Sequence, residues 1–334
     1  MKFSLHNKPW ALLLIVLAIS MAFASIRFVA FLVTPPGSGS NVQVVTVGQG
    51  ADLRTTARML EKLHLVSSAR LFVLNARLRG AASRLKAGPY QISDGMTPSE
   101  ILEKLVSGDV YVQRFAVPEG YSIFQVAELL QQRKIFRKDR FLAVCRDRKL
   151  LKELGVPGKS VEGFLYPSTY DIPPGAAEAD IIREMVHQFD KVYDARFDDL
   201  ARKEGLTRVQ VVTLASMIEK EAVSPTERPL IASVFMNRLK RGMRLQSDPT
   251  AVYGVRAFGG KVSKADIERV TPYNTYLIPG LPPGPIGNPG SAAIDAVLHP
   301  AQTEYLYFVA RQDGSHQFSD TLDEHNRAVR QYLR

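Results

Sequence analysis

The chain has 334 residues, with 43 Lys or Arg against 33 Asp or Glu and a formal charge of +10. That length allows two or three modest domains with a sizeable core, and the ordinary apolar content excludes wholesale disorder. A single cysteine, Cys145, excludes an internal disulfide; with only six scattered histidines, no zinc-type ligand spacing exists and a metal-dependent amidase lacks its ligands.

The first element is residues 10–33, WALLLIVLAISMAFASIRFVAFLV. As a helix it is about 36 Å long, enough to cross a bilayer. Arg27 is its one charge and lies near enough to the far end to snorkel. Lys2 and Lys8 precede the span, and after it no Lys or Arg occurs until Arg54. The positive-inside rule therefore puts residues 1–9 in the cytoplasm and residues 34–334 outside. The run is longer than a signal-peptide core, and Ala22-Phe23-Ala24 is a weak cleavage site, so an anchor is expected rather than a cleaved signal. The basic excess then lies outside the cytoplasm, where the anionic partners are lipid headgroups and cell-wall polymer. No nucleic-acid motif is present.

After a Pro/Gly/Ser linker at 34–41, a pattern occurs twice. Residues 44–77 align with 114–147 without a gap, and Val47, Gly50, Ala57, Leu60 and Arg70 meet Val117, Gly120, Ala127, Leu130 and Arg140. Each copy reads as strand, tight turn at glycine, amphipathic helix and second short helix. A strand at 85–93 follows the first copy, and Thr97-Pro-Ser-Glu100 is a capping box opening a helix that stops before Gly108. Strand, two helices, strand is the order of a small LysM-like glycan-binding unit.

The segment 160–175, SVEGFLYPSTYDIPPG, is rich in aromatics and proline. Tyr166 and Tyr170 either stack on sugar rings along a groove or pack between subdomains. Helices are expected at 179–189 and 198–203. Thr207 with Gln210 forms another capping box, and the run that follows is apolar on almost every face, so this helix should be buried. It ends in two carboxylates, Glu219 and Glu221, roughly 200° apart around the helix. Each follows apolar or small residues on its own face, a setting that raises a carboxyl pKa and suits a proton donor. The alternative is solvent exposure, or pairing with Lys220, Arg228 or Arg238. A helix from Arg228 closed by Gly242 comes next, then Gln246, Ser247, Asp248 and Thr250 in a turn closed by Pro249. The Pro/Gly-rich loop 279–290 reads as a fixed wall. Ser291 caps a helix to Leu298, and a strand to Ala310 turns at Asp313-Gly314 into a hairpin before a basic terminal helix.

LASMIEKEA, ERPLIASVFMNRLKRGMRLQSDPT, TPYNTYLIPGLPPGPIGNPG and AVLHPAQTEYLYFVA, with VEGFLYPSTY upstream, together resemble the YceG-like family of endolytic murein transglycosylases. The resemblance spans nearly the whole chain. It implies an α+β protein: a single transmembrane helix at 10–33, a LysM-like α+β region at 42–158 containing the repeat, and an α+β catalytic domain at 159–334 whose buried helix carries the acid. It also implies a bacterial inner-membrane protein acting in the periplasm. Such an enzyme cuts nascent, uncrosslinked peptidoglycan strands between MurNAc and GlcNAc and leaves 1,6-anhydro ends. Its expected partners are the glycan strands and penicillin-binding-protein synthases, and it calls for no cofactor. By the same resemblance the acid/base falls on the first glutamate of E-K-E, Glu219. A lytic transglycosylase needs only one such carboxyl, unlike a glycoside hydrolase with two. Gln246, Asp248 and Asn274 are candidates for holding the sugar or orienting Glu219, against simple turn and loop hydrogen bonding. The rival function is a membrane-tethered glycan-binding scaffold without catalysis.

Overall fold

The computed structural model describes residues 9–256, 258 and 260–332. The cytoplasmic tail expected at 1–9 lies, save for Pro9, outside the described residues. Helix α1, Pro9–Val33, contains a stretch, Leu12–Val33, long and apolar enough to span a membrane. Most of its large side chains are exposed, which water does not tolerate over such a length but lipid does.

Contacts divide the chain into two compact units. One runs to Gln113 with Pro173–Gly175 added; the other comprises Arg114–Ile172 and Ala176–Arg334. The region boundary expected at 158/159 falls inside the second unit.

In the first unit β1, Val42–Val47, leads to α2, Leu53–Lys62, and α3, Ala69–Leu78, and the chain returns on β2, Gly88–Ser93. The strands pair antiparallel from Val42↔Ser93 to Val47↔Gly88. Alternation sends Val45 and Val47 inward and leaves Val44 exposed. Helix α4, Pro98–Ser107, opens on the capping box, with Thr97 and Glu100 satisfying each other's backbone N–H, and stops at left-handed Gly108. Leu60, Phe72, Tyr90, Ile92 and Ile101 fill the core.

The second unit begins with the same path. Strand β3, Gln113–Ala116, is followed by α5, Ile123–Gln132, and α6, Lys138–Val144. Helix α5 repeats α2 at a constant offset of 70 residues, Ile123 against Leu53 and Gln132 against Lys62. The glycines at the turns, Gly50 and Gly120, both have left-handed φ (70° and 73°), and so do the helix exits His64 and Lys134 (58° and 56°). A short helix α7, Arg148–Glu153, precedes β4, Thr169–Ile172, which pairs with β3. The second copy is thus also closed by a strand, which the sequence reading did not foresee.

Helices α8, Glu178–Val192, and α9, Ala195–Lys203, lead to α10, Arg208–Glu221. Thr207 and Gln210 form the expected capping box, and every side chain from Val211 to Ile218 is buried. Such a helix is stable only inside a core. Its neighbours are α11, Arg228–Lys240, and, later in the chain, α14, Ser291–Leu298. Between them come two short helices, α12, Asp248–Val252, and α13, Lys264–Ile267. The turn expected to close at Pro249 instead opens α12. A proline in the first helical turn has no N–H to lose and its φ is already helical. The hairpin of β5, Tyr307–Ala310, and β6, His316–Ser319, turns through Gly314, and α15, Leu322–Tyr332, follows.

Candidate active site

The last turn of α10 points its two glutamates to opposite sides, and the sides differ in kind. The Glu219 side chain is 6% exposed. One oxygen accepts from Arg228 Nη2 at 2.8 Å and the other from the backbone N–H of Gly290 at 3.0 Å. Arg228 is itself mostly buried and also approaches Glu119, at 3.9 Å. The glycine turn of the second repeat closes over this pair. A Cβ on Gly120 would lie 3.3 Å from Glu219 Cγ, and Gly120 N–H donates to the Asn288 carbonyl at 2.8 Å. The apolar setting expected around Glu219 is therefore not what its carboxylate meets. It is a strut that ties α10 to α11 and to the loop entering α14.

On the opposite side, Glu221 faces a cavity of about 460 Å³ lined also by Arg238, Gln246, Asp248, Tyr276 and His316. It accepts a hydrogen bond from the Ser247 hydroxyl, at 2.6 Å. Burial pushes the Glu221 carboxyl up to about 7; the Ser247 hydrogen bond opposes this and the nearby Asp248 charge adds to it. Asp248 accepts from the Tyr276 hydroxyl at 2.6 Å. Gln246 adopts a left-handed φ of 50°. Its backbone N–H donates to Thr275 O at 3.2 Å. Arg238 does not serve as a counter-ion to Glu221. Its Nε and Nη1 donate to the carbonyls of Leu306, Arg244 and Leu245 and to Gln246 Oε1, so it braces this wall.

These placements correct several expectations. Gln246 and Asp248 line the Glu221 cavity and do not orient Glu219. Asn274 is fully buried, and its amide nitrogen donates to the carbonyls of Asp266, Ile267 and Arg269. A side chain with its donors committed inward cannot hold a sugar, so Asn274 is a loop brace. Tyr170 is 5% exposed and its hydroxyl donates to the Tyr166 carbonyl. Tyr166 is partly buried against the same core. The pair packs inside the core of the second unit, where the expectation was a sugar-stacking groove or a seam between subdomains.

Sequence reasoning missed Glu162, in VEGFLYPSTY. It is 2% exposed and accepts from Ile123 N–H at 3.1 Å, the Tyr253 hydroxyl at 2.8 Å and Asn288 Nδ2 at 3.4 Å. Burial raises its carboxyl to about 7 against these hydrogen bonds and the charge of Lys220. A lone acid amid apolar residues in a rigid segment was the available signal. Ser247, read from sequence only as part of a polar turn, donates its hydroxyl to Glu221, 26 residues earlier in the chain. A second cavity, of about 440 Å³, is lined by Phe124, Gln125 and Phe258 among others and includes neither glutamate of E-K-E. Lys220 points to that side, with Nζ 3.9 Å from the Phe258 ring centre. Among the described residues no group of three or more His, Cys, Asp or Glu is placed to hold a metal ion.

Comparison with known proteins agrees with this architecture. The chain is 34% identical to an endolytic murein transglycosylase of Bacillus subtilis over 86% of this chain and 84% of that one. It is 29% identical to an endolytic murein transglycosylase of Streptococcus pneumoniae over 89% of this chain, spanning 60% of the longer relative. A crystal structure of a yceG-like protein from Listeria monocytogenes superposes with a TM-score of 0.61 at 32% identity, covering 86% of this chain and 98% of that one. The sequence profile of the YceG-like family matches residues 45–331, so the chain belongs to the YceG-like family.

Proposed function

We propose that this protein is an endolytic murein transglycosylase and that Glu221, rather than Glu219, is its acid/base. The observation that carries the assignment is the setting of Glu221: a carboxyl with no ion-pair partner among the described residues, on the wall of a cavity, with one oxygen anchored by Ser247. With its pKa raised to about 7, roughly half of it carries a proton at neutral pH, against about one part in three hundred for an ordinary glutamate at 4.5. A general acid needs that proton. Glu219 has both oxygens committed to Arg228 and Gly290 and would have to break an ion pair to act.

In this reading Glu221 gives its proton to the glycosidic oxygen as the bond to C1 of MurNAc breaks, and GlcNAc leaves with a free hydroxyl. The carboxylate then takes the proton of the MurNAc C6 hydroxyl, whose oxygen bonds to C1. The enzyme recovers its proton and no water is consumed. Asp248, Gln246 and Tyr276 line the same cavity and are the groups available to hold the sugar. Purified full-length protein in detergent, given uncrosslinked glycan, should release fragments one water lighter than hydrolysis products. Products with ordinary reducing ends, or intact strands, would refute the reading.

We further propose that α1 is a single membrane anchor with the rest of the chain on the periplasmic face, and that the first unit is the LysM-like glycan-holding part. Its strand–helix–helix–strand order supports that role. A termination role beside penicillin-binding-protein synthases is what the resemblance implies, and a membrane anchor is consistent with it. A reporter that fluoresces only in the cytoplasm, fused after Arg334, should stay dark.

A further inference from the structure

The segment from Gln246 to Thr250 contains more order than a sugar-binding loop requires. Ser247, Thr250 and Thr275 are all buried, so water does not compete for their hydrogen bonds. Ser247 N–H donates to Thr275 Oγ1 at 3.0 Å, and the Thr250 hydroxyl donates to Ser247 O at 2.6 Å. The two threonine oxygens lie 2.7 Å apart. Since Thr250 has spent its one hydroxyl proton on Ser247 O, the proton between the threonines belongs to Thr275. The result is a closed ring: Ser247 N–H to Thr275, Thr275 to Thr250, Thr250 back to Ser247 C=O. The residue before it, Gln246, is held at a left-handed φ of 50°, a conformation unfavourable for a non-glycine residue that persists only where the surroundings impose it.

The ring uses only the backbone of residue 247, so any side chain there would close it. The serine hydroxyl takes no part and donates instead to Glu221 Oε1. Fold closure therefore explains the threonines and leaves the serine unexplained. We infer that Ser247 is the positioning residue of the acid/base: its hydroxyl, fixed by the ring, anchors one oxygen of Glu221 and leaves the other, Oε2, to carry and deliver the proton. A carboxyl oxygen that accepts from Ser247 is the carbonyl-like oxygen of the neutral acid, so the transferable proton sits on its partner. Once that proton has gone, the same hydroxyl bonds a carboxylate. Such charge-assisted bonds are about twice as strong as neutral ones, so Ser247 stabilises the form produced in the first step.

This inference rests on the assignment of Glu221 above, and kinetics of full-length protein separate the two. Ser247→Ala leaves the backbone ring intact and should melt close to wild type. Its kcat should fall about tenfold or more with KM within about twofold, since the lost hydrogen bond acts on the carboxyl and not on bound sugar. The basic limb of kcat/KM against pH should move up by about half to one pH unit, because Ser247 favours the carboxylate and its removal favours the acid. Asp248, Arg238, Tyr276, His316 and His325 share the cavity and are the same in both proteins, so they do not produce the difference. Ser247→Thr keeps a hydroxyl and should restore both rate and profile. An unmoved profile with wild-type kcat overturns the inference while leaving the transglycosylase reading standing. A Ser247→Ala chain that fails to fold also overturns it, because the hydroxyl would then belong to the fold. A wild-type chain that cuts no glycan overturns the reading and this inference together.

Discussion

Glu219 and Glu221 stand two residues apart on the same turn of α10, and their surroundings have almost nothing in common. Glu219 meets a guanidinium and a backbone N–H, with the turn of the second repeat pressed over it. Glu221 meets a neutral hydroxyl and a cavity. A half-turn of helix is enough to separate an ion-paired carboxylate from one facing a cavity, because the charge and hydrogen-bond partners are supplied by other elements. On one side these are α11 and the loop 285–290; on the other they are the 246–250 segment and the β5–β6 hairpin. The carboxyl without a charged partner is the one whose proton is available near neutral pH.

The contrast can be sharpened through pH. Glu162 and Glu221 are both raised to about 7 by burial. For each, the folded state holds a proton that the unfolded chain has released between about 4.5 and 7, so stability is fully present below pH 4.5 and is lost as pH rises through 7. For Glu162, fully buried, the loss is on the order of 3 kcal/mol. Thermal midpoints should fall from pH 5 to pH 8, and Glu162→Gln, which cannot titrate, should flatten a large part of that fall. A midpoint that rises over the same interval would mean that these acids are charged in the folded protein.

A smaller effect should separate the strut from the acid. Glu219→Gln keeps one acceptor but sets an NH2 group against either Arg228 or the Gly290 N–H, both donors. Arg228 Nε already lacks a partner, so the variant leaves a mostly buried guanidinium poorly compensated. The expected cost is about 2 kcal/mol, with activity per folded molecule within a few-fold of wild type. An unchanged melting curve would mean the pair is not holding α10, α11 and the loop together.

The smallest effect compares the repeats. Gly50 and Gly120 share a left-handed φ, and alanine at either costs about 1 kcal/mol for that reason. A Cβ at Gly50 meets nothing within 4 Å, whereas at Gly120 it crowds Glu219 at 3.3 Å. Gly120→Ala should therefore lower its thermal midpoint more than Gly50→Ala, and equal shifts would indicate that Glu219 gives way freely.

Much of this was legible in the sequence because it depended on local chemistry. The capping boxes at Thr97 and Thr207, the apolar run through α10, the glycine turns of both repeats and the Asp313-Gly314 hairpin are set by neighbours within a few residues. The choice between Glu219 and Glu221 was not, since both have apolar helix neighbours and differ only in partners 9, 26 and 71 residues away. The resemblance placed the acid on Glu219; our proposal places it two residues further on, at Glu221, because of those distant partners. Asn274 and Tyr170 misled for the same reason. Polar and aromatic residues in Pro/Gly-rich segments look alike in sequence whether they face a ligand or brace a loop, and only burial distinguishes them.

The most direct test is the rate of anhydro-ended product formation by full-length Glu221→Gln beside full-length Glu219→Gln, each corrected for folded fraction. Glutamine keeps the shape of the side chain and removes the transferable proton, so Glu221→Gln should lose about 10²- to 10⁴-fold in kcat while still binding glycan. Glu219→Gln should keep most of its rate. A Glu221→Gln protein that cuts strands at the wild-type rate, beside a folded but inactive Glu219→Gln, would contradict the account and return the acid to the first glutamate.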